Sequence, residues 1–493
     1  MTTHHDVIVI GAGISGIAAA IKLHEAGVDD VLVLEKSTTF GGTWRANTYP
    51  GCACDVPSGL YSYSFAPNPD WSRIYGTQPE ILAYVDGVAR DNGLDECTRF
   101  DTEVTEAHWD EARSVWTVAT ADETFTARFL VAAAGPWNEP KIPNLPGLAD
   151  FTGTVFHSAQ WNHDHDLTGR SVAVVGSGAS AVQFVPQIQR VVGELHLFQR
   201  TAHWVLPKPD RRMGPRARWA MRHLPIAHRL QRAGEYALME AVGAAFRTPK
   251  PLMYALQALG RRHLRRSVPD PVLREKLTPR YLLGCKRILF SNNYLRSLNS
   301  PNVTVHAGEV TAVEKDAVIG SDGTRTQVDT LILGTGYHIL DMPIAHLVHG
   351  TDGRSLAEHW SGSPTAYLGT FVTGFPNAFL LLGPSLGSGH TSAFTVAETQ
   401  VALVVSAITA ARDRRWQTLE VEPGVVDDYI EQVQSALQGT AYTAATCNSY
   451  FLDANGRNSF SWPWSTHEMT RRVGAFDPQD YIVTTSDREV TAS

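Results

Sequence analysis

A lone acid closes an aromatic, glycine-led run, GGTWRANTYPGCACD (41–55). Asp55 stands there between Cys54 and Val56 with no cation near it in sequence. The stretch is too rich in aromatics for an ordinary surface loop, and it follows a nucleotide-binding pattern. Gly11, Gly13 and Gly16 spell G-x-G-x-x-G within DVIVIGAGISGIAAAIKLHEAGVDDVLVLEK (6–36). In that fingerprint the first glycine makes a tight turn and the second lets the backbone approach a pyrophosphate. The third allows close helix–strand packing. The helix that follows offers free N–H groups and a positive dipole end to phosphate. Glu35 lies 24 residues after Gly11, where an acid accepts hydrogen bonds from a ribose diol.

The plan recurs in SVAVVGSGASAVQFVPQIQRVVGELHLFQRT (171–201), with Gly176, Gly178 and Ala181. The same 24-residue step from Gly176 ends on Arg200. A guanidinium pairs with a 2′-phosphate that a carboxylate would repel. The first site is therefore expected to hold a 2′-hydroxyl nucleotide and the second NADP(H). A lone glycine fingerprint often only packs a turn; two, in full strand–turn–helix–strand context with chemically opposite endings, point to hydride traffic between two dinucleotides. A resident flavin fed by a nicotinamide is the natural combination, so FAD and NADPH are the expected cofactors.

The elements that must position these groups read as an α/β fold with two Rossmann-like dinucleotide-binding domains. The VIVI run is a buried parallel strand. Proline-rich EPKIPNLPG (139–147) is read as a linker, and the return is placed near GTGYHILD (334–341). The expected domains are a discontinuous FAD-binding domain (1–140 and 340–493) and an NADP-binding domain (150–338) carrying a helical insertion (208–282). In that insertion Lys and Arg outnumber Asp and Glu about three to one. It is read as a solvated cap over the substrate channel that attracts NADPH phosphates, in preference to a membrane-surface face.

Composition narrows the classes. Of 493 residues, 43% are apolar and 19% charged, which supports a large core. A net charge of −8 does not suggest a nucleic-acid partner. Five cysteines (52, 54, 97, 285, 447) form no framework, which fits reduced thiols and a cytoplasmic location. Cys52 and Cys54 lack the C-x-x-C spacing of a redox pair. The N-terminus enters a strand at once, no 18-residue apolar stretch is seen, and no metal-ligand cluster such as H-x-x-x-H is found. The tail from about Thr484 is read as frayed.

With these motifs in place, the chain resembles the type I Baeyer–Villiger monooxygenases, class B flavoprotein monooxygenases. Gly41, Gly42, Trp44, Tyr49, Pro50, Gly51 and Asp55 match the family pattern G-G-x-W-x-x-x-x-Y-P-G-x-x-x-D. Phe151, Gly153, His157 and Trp161 match F-x-G-x-x-x-H-x-x-x-W. GCKRILF (284–290) resembles the segment with the active-site arginine. YGTQPEI (75–81), LILGTGY (331–337) and GPSLGSGHTS (383–392) extend the likeness. Asn162 and Tyr450 depart from residues common in the family.

The resemblance implies insertion of one oxygen atom beside a ketone carbonyl, giving an ester or lactone through a C4a-peroxyflavin, with O2 and a small-molecule ketone as reactants. A fixed cation favours the peroxide anion and the charge on the adduct; an arginine cannot deprotonate to the wrong state. By resemblance that residue is Arg287, and Asp55 is expected to hydrogen-bond it. Thr43, Trp44 and Tyr61 resemble flavin contacts. Lys286 resembles a 2′-phosphate contact beside Arg200 and Thr201. Ser15, Lys36, Gly42 and Val104 are further cofactor contacts expected at the first site, and Ala179, Ser180 and Gln183 at the second. His157 is read as organising the domain junction, not as a base. The main competing reading is oxygenation of sulfur or nitrogen. A disulfide reductase lacks its dithiol here, and a flavin-binding sensor would not need both motifs.

Overall fold

The computed structural model describes residues 3–137, 139–247, 252–444 and 449–485. The fifth cysteine, Cys447, and most of the tail read as frayed lie outside the described residues.

The first mononucleotide unit is β1 (Thr3–Ile10), α1 (Ile14–Glu25) and β2 (Val31–Leu34). Residues 7–10 and 31–34 are all buried, as a parallel strand covered on both faces requires. The short α2 (Thr43–Ala46) and α3 (Gln78–Asp91) follow, then β3 (Thr98–Arg99), β4 (Val104–Asp110), β5 (Val115–Thr120) and β6 (Thr124–Ala132). Strands β6, β1, β2 and β3 pair in parallel, and β4 and β5 extend the sheet antiparallel.

The second unit is β7 (Thr154–His157), β8 (Ser171–Val175), α4 (Ala179–Ile188) and β9 (Glu194–Phe198). Strand β10 (Val205–Leu206) leads into the helices α5 (Pro215–His223), α6 (Pro225–Arg247), α7 (Leu252–Ser267) and α8 (Pro271–Lys276). The chain returns through β11 (Leu289–Phe290), α9 (Tyr294–Ser297) and β12 (Val303–His306). A meander of β13 (Val310–Glu314), β14 (Ala317–Gly320) and β15 (Arg325–Gln327) precedes β16 (Thr330–Leu333). The second main sheet is wholly parallel, in the order β12-β9-β8-β16-β7.

The last third rejoins the first sheet. Strand β17 (Val348–His349) pairs with β4, α10 (Leu356–Trp360) follows, and β18 (Ala378–Leu380) pairs with β6. Helix α11 (Ala393–Asp413) packs on α1 and precedes β19 (Trp416–Val421), α12 (Pro423–Leu437), α13 (Thr466–Val473) and β20 (Tyr481–Thr485). By length and composition α11 could cross a membrane. Its Phe394, Val401, Leu403, Val404 and Ile408 are nevertheless inside the core, so it is the central helix of this layer.

One sequence expectation is overturned. Cys285 is fully buried and disulfide-bonded, whereas Cys52, Cys54 and Cys97 are free. Spacing along a chain carries no information about a pairing made through the fold.

Candidate active site

Each glycine turn opens a helix whose first N–H groups are left for a ligand. Gly13 and Gly178 cap α1 and α4 with no side-chain hydrogen bond and no acid in the first turn. By contrast, α3 and α10 close their ends with complete capping boxes. A Cβ on Gly42 would stand 2.8 Å from Gly13 Cα, so the GGTW loop can lie against the first cradle only without one. Beside Gly178 a Cβ meets nothing within 4 Å, which leaves room for a pyrophosphate.

At the end of β2, Glu35 is 6% exposed. It accepts hydrogen bonds from the Ala12 N–H (2.7 Å) and the Ser37 N–H (2.8 Å). A carboxylate has about four acceptor positions, so capacity remains for a ribose diol. Ser15 is buried in α1, and buried Val104 opens β4. Lys36 is engaged by Glu139 and faces Glu103 at 3.9 Å. Trp44 is buried; its indole N–H donates to the Tyr61 hydroxyl (3.1 Å), and Thr43 starts the same turn of helix.

At the second cradle Arg200 is 78% exposed and pairs only loosely with Glu309 (3.6 Å). Lys286 lies over the Tyr281 ring. Burial, then the Arg200 charge, lowers its pKa. Burial and the Lys286 charge hold His203 down at about 4. Two like charges set side by side cost energy until an anion joins them; with Thr201 adjacent, they fit a 2′-phosphate. Ala179 and Ser180 form the first turn of α4.

The 41–55 loop spans both cradles. It begins at Gly42 against Gly13 and reaches α4 at Gly51. There φ is +81°, and a Cβ would stand 2.8 Å from the Gln183 carbonyl. The Gln183 side chain clasps this loop. It donates to the Ala53 carbonyl (2.9 Å) and accepts from the Tyr49 hydroxyl (3.0 Å) and the Ala53 N–H (3.3 Å).

Asp55, at the loop's end, is 10% exposed and sits between two cations. Arg287 Nη2 is 3.6 Å from Oδ2, and Lys208 Nζ is 3.6 Å from Oδ1. The expected Asp55–Arg287 hydrogen bond is therefore an ion pair at longer range. Lys208 also donates to the Cys54 carbonyl (2.8 Å). Asp55 Oδ1 is buried without a hydrogen-bond partner, so the site holds acceptor capacity. Burial alone would lower the Arg287 pKa; Asp55, followed by Tyr450, Cys54 and Tyr61, outweighs it and raises the value. Burial pushes the Cys52 and Cys54 thiols up to about 12, so neither is a thiolate. Sequence reasoning missed Lys208, which comes from the start of the helical insertion and has no local signal.

The second fingerprint forms a scaffold. Phe151 is buried in the core of the second unit, and a Cβ on Gly153 would meet the Asp329 carbonyl at 2.3 Å. Trp161 packs between Phe156 and Phe184, and Phe184 meets Tyr49. His157 is 1% exposed, and burial holds its pKa at about 4, so it is neutral. Its ring lies edge-on to Tyr337, whose hydroxyl donates to Asn47 just past α2. Away from this centre, where β17 joins β4, the ligand atoms of Glu106, His108 and His349 lie within 4.8 Å of one another. No sequence motif announced that cluster.

Two dinucleotide cradles bridged by one acid-bearing loop define a flavin- and pyridine-nucleotide-dependent oxidoreductase. Residues 8–235 match the family model described as pyridine nucleotide-disulphide oxidoreductase. A Baeyer-Villiger monooxygenase of Streptomyces coelicolor is 42% identical over 97% of this chain and 93% of its own length. One from Pseudomonas aeruginosa is 42% identical over 98% and 92%. Among solved structures, cyclohexanone monooxygenase from Rhodococcus sp. Phi1 bound to NADP+ superposes with a TM-score of 0.87 at 26% identity, covering 99% of this chain and 100% of that one. An OTEMO complex with FAD and NADP gives 0.87 at 26%, covering 97% and 99%.

The chain belongs to the Baeyer–Villiger monooxygenases. It is an FAD-containing, NADPH- and O2-dependent monooxygenase whose reaction inserts one oxygen atom beside a carbonyl.

Proposed function

We propose that Arg287, aimed by Asp55 and braced through Lys208, is the cation that serves oxygen insertion into a ketone. The observation that carries this is the Asp55 carboxylate, 10% exposed, between two cations, on a loop that lies against the first glycine turn and against the helix that follows the second. When bound, NADPH supplies electrons and the flavin supplies the activation of O2; the chain supplies positions and charge. Arg287 stabilises negative charge that develops on the ketone oxygen, in a setting where a fixed donor outperforms water. Asp55 holds that guanidinium in place, and Lys208 keeps the carboxylate from collapsing onto Arg287 alone. Glu35 receives the FAD ribose. Arg200 and Lys286 take the NADPH 2′-phosphate. Gln183 and the His157–Tyr337–Asn47 contacts carry the seating of NADPH to the flavin loop.

Discontinuous FAD-side segments around an NADP-side unit fit this division of labour. A cytoplasmic setting is supported by the free thiols; disulfides are rare there, so the paired Cys285 is the observation that stands against it.

Related structures contain cyclohexanone or are steroid monooxygenases, so the substrate panel should run from small cyclic to fused-ring ketones, with linear and aryl ketones and one aryl sulfide. Purified protein with NADPH and air should give esters or lactones by mass spectrometry. Arg287→Ala should abolish them while NADPH still bleaches the flavin. Unchanged ester yield in that variant would remove Arg287 from the chemistry, and sulfoxide as the only product would replace the ketone reading.

A further inference from the structure

Helix α6 is turned inside out. Along its middle turns several polar side chains point into the protein: Arg232 donates to the Gly59 and Ser62 carbonyls (3.0 Å each) and faces Glu398 at 3.5 Å. Glu240 accepts from the Thr466 N–H (2.8 Å) and faces His390. Its outer face is apolar, with Ile226 57%, Leu230 66% and Leu238 54% exposed and small exposed alanines between them. A solvated cap would present the opposite pattern. The helices packed on it continue the face: Trp219 and Leu224 on and after α5, then Leu252, Tyr254 and Leu259 on α7. Nine of the fourteen large apolar side chains exposed among the described residues lie between 219 and 272. They are concentrated in about a tenth of the chain, whereas exposed apolar residues scattered singly need no explanation.

The rim of this face is cationic. Exposed Arg216, Arg218 and Arg229 lie on α5 and α6, and exposed Arg261, Arg262, Arg265 and Arg266 on α7; Arg222 is already paired with Asp70 (2.6 Å). The chain as a whole carries −8, so the polarity is local. We propose that α5–α7 form a docking face for an anionic lipid surface. Apolar side chains would enter the headgroup boundary and arginines would meet lipid phosphates, as on an interfacial amphipathic helix. A second copy of the chain fits worse. A two-fold interface sets the same patch against itself, and the arginine rims would then oppose one another. This replaces the reading of the insertion as a merely solvated cap.

The face connects to the active site. Phe246, in the last turn of α6, lies against Gly284, where a Cβ would stand 2.7 Å from its ring. Gly284 is three residues before Arg287. A chain docked here holds its catalytic segment beneath the membrane boundary, so the substrate class inferred is an apolar ketone that partitions into lipid. That second half rests on the ketone reading above; the docking does not.

The test is co-sedimentation of FAD-loaded protein with vesicles of phosphatidylcholine alone or with one-third phosphatidylglycerol, at low and high salt. Binding is expected only to the anionic vesicles and should weaken with salt. Each arginine near such a surface is worth about fivefold in partitioning, so R261E/R262E should weaken binding more than tenfold, as should I226E/L230E. Both variants should keep flavin content and turnover of a small water-soluble ketone. Absent sedimentation of the wild type with anionic vesicles, or equal sedimentation of the variants, overturns the proposal. So does a wild-type dimer on size exclusion that I226E/L230E converts to monomer, because the face then belongs to a second copy. Loss of ketone turnover with vesicle binding intact would count against the catalytic reading only.

Discussion

Asp55→Asn keeps the volume and removes the charge that holds two cations. At 3.6 Å, each pair is worth about 4–5 kcal/mol at an effective dielectric near 20. The Arg287 side chain is 42% exposed, so solvent screening discounts this heavily. About 2 kcal/mol of positioning for Arg287 is a reasonable remainder, or roughly thirtyfold in rate. The expected outcome is a fall of about 30- to 100-fold in kcat for ester formation, while the rate of flavin reduction by NADPH, read by stopped-flow bleaching, changes less than about threefold. NADPH consumed without product should appear as hydrogen peroxide. The split matters: a loop that simply unfolds would slow both half-reactions and release flavin. Equal loss in both phases, or full coupling to ester in Asp55→Asn, would refute the positioning argument. Lys208→Met removes the second cation and should cost less, about tenfold, because Arg287 keeps its counter-ion.

Arg200→Ala and Lys286→Ala should each raise the KM for NADPH about ten- to a hundredfold and leave that for NADH nearly unchanged, since one charge-assisted contact to the 2′-phosphate is lost; steady-state kinetics with both cofactors checks this. His157 and His203 are held at about 4 by burial, His203 also by Lys286, against about 6.5 in an unfolded chain. Their folded values are depressed, so the unfolded state binds protons first as pH falls. The stability they protect is complete above about 6.5 and is lost from there down to about 4, by at most about 3 kcal/mol for His203. Thermal melts from pH 7.5 to 4.5 should show this, and His203→Gln should flatten the slope. Gly51→Ala should cost about 1–3 kcal/mol, because φ is +81° and the new Cβ would meet the Gln183 carbonyl; a lowered melting temperature with reduced coupling of NADPH use to product is the expected signature.

The parts of the site that could be read from the chain are those fixed by local geometry. A strand, a glycine turn and a helix of set length place the end of the next strand, so a 24-residue step finds Glu35 and Arg200 without knowledge of the fold. The uncapped starts of α1 and α4 follow from glycine where a capping side chain would obstruct phosphate. The Asp55–Arg287 partnership came from resemblance, and its distance from the structure. What could not be read depends on long-range pairing. Lys208, just after β10, reaches Asp55 across more than 150 residues of chain. The strands β17 and β18 join the first sheet only after the whole second sheet has been traversed.

Helix α6 failed to be read for a different reason. Its sequence alternates apolar and charged residues with helical period, and periodicity alone says that two faces differ, not which one faces in. The usual assignment puts the apolar face inward. Here Arg232 and Glu240 face inward and are satisfied by the Gly59 and Ser62 carbonyls, Glu398 and Thr466, while Glu235 accepts from Gln231 on the same helix. A buried polar group costs little once it is hydrogen-bonded. The same polar partners that anchor the helix therefore leave its apolar stripe facing outward. The orientation is fixed by these inward polar contacts, and the exposed stripe needs its own explanation, which a lipid surface supplies and water does not.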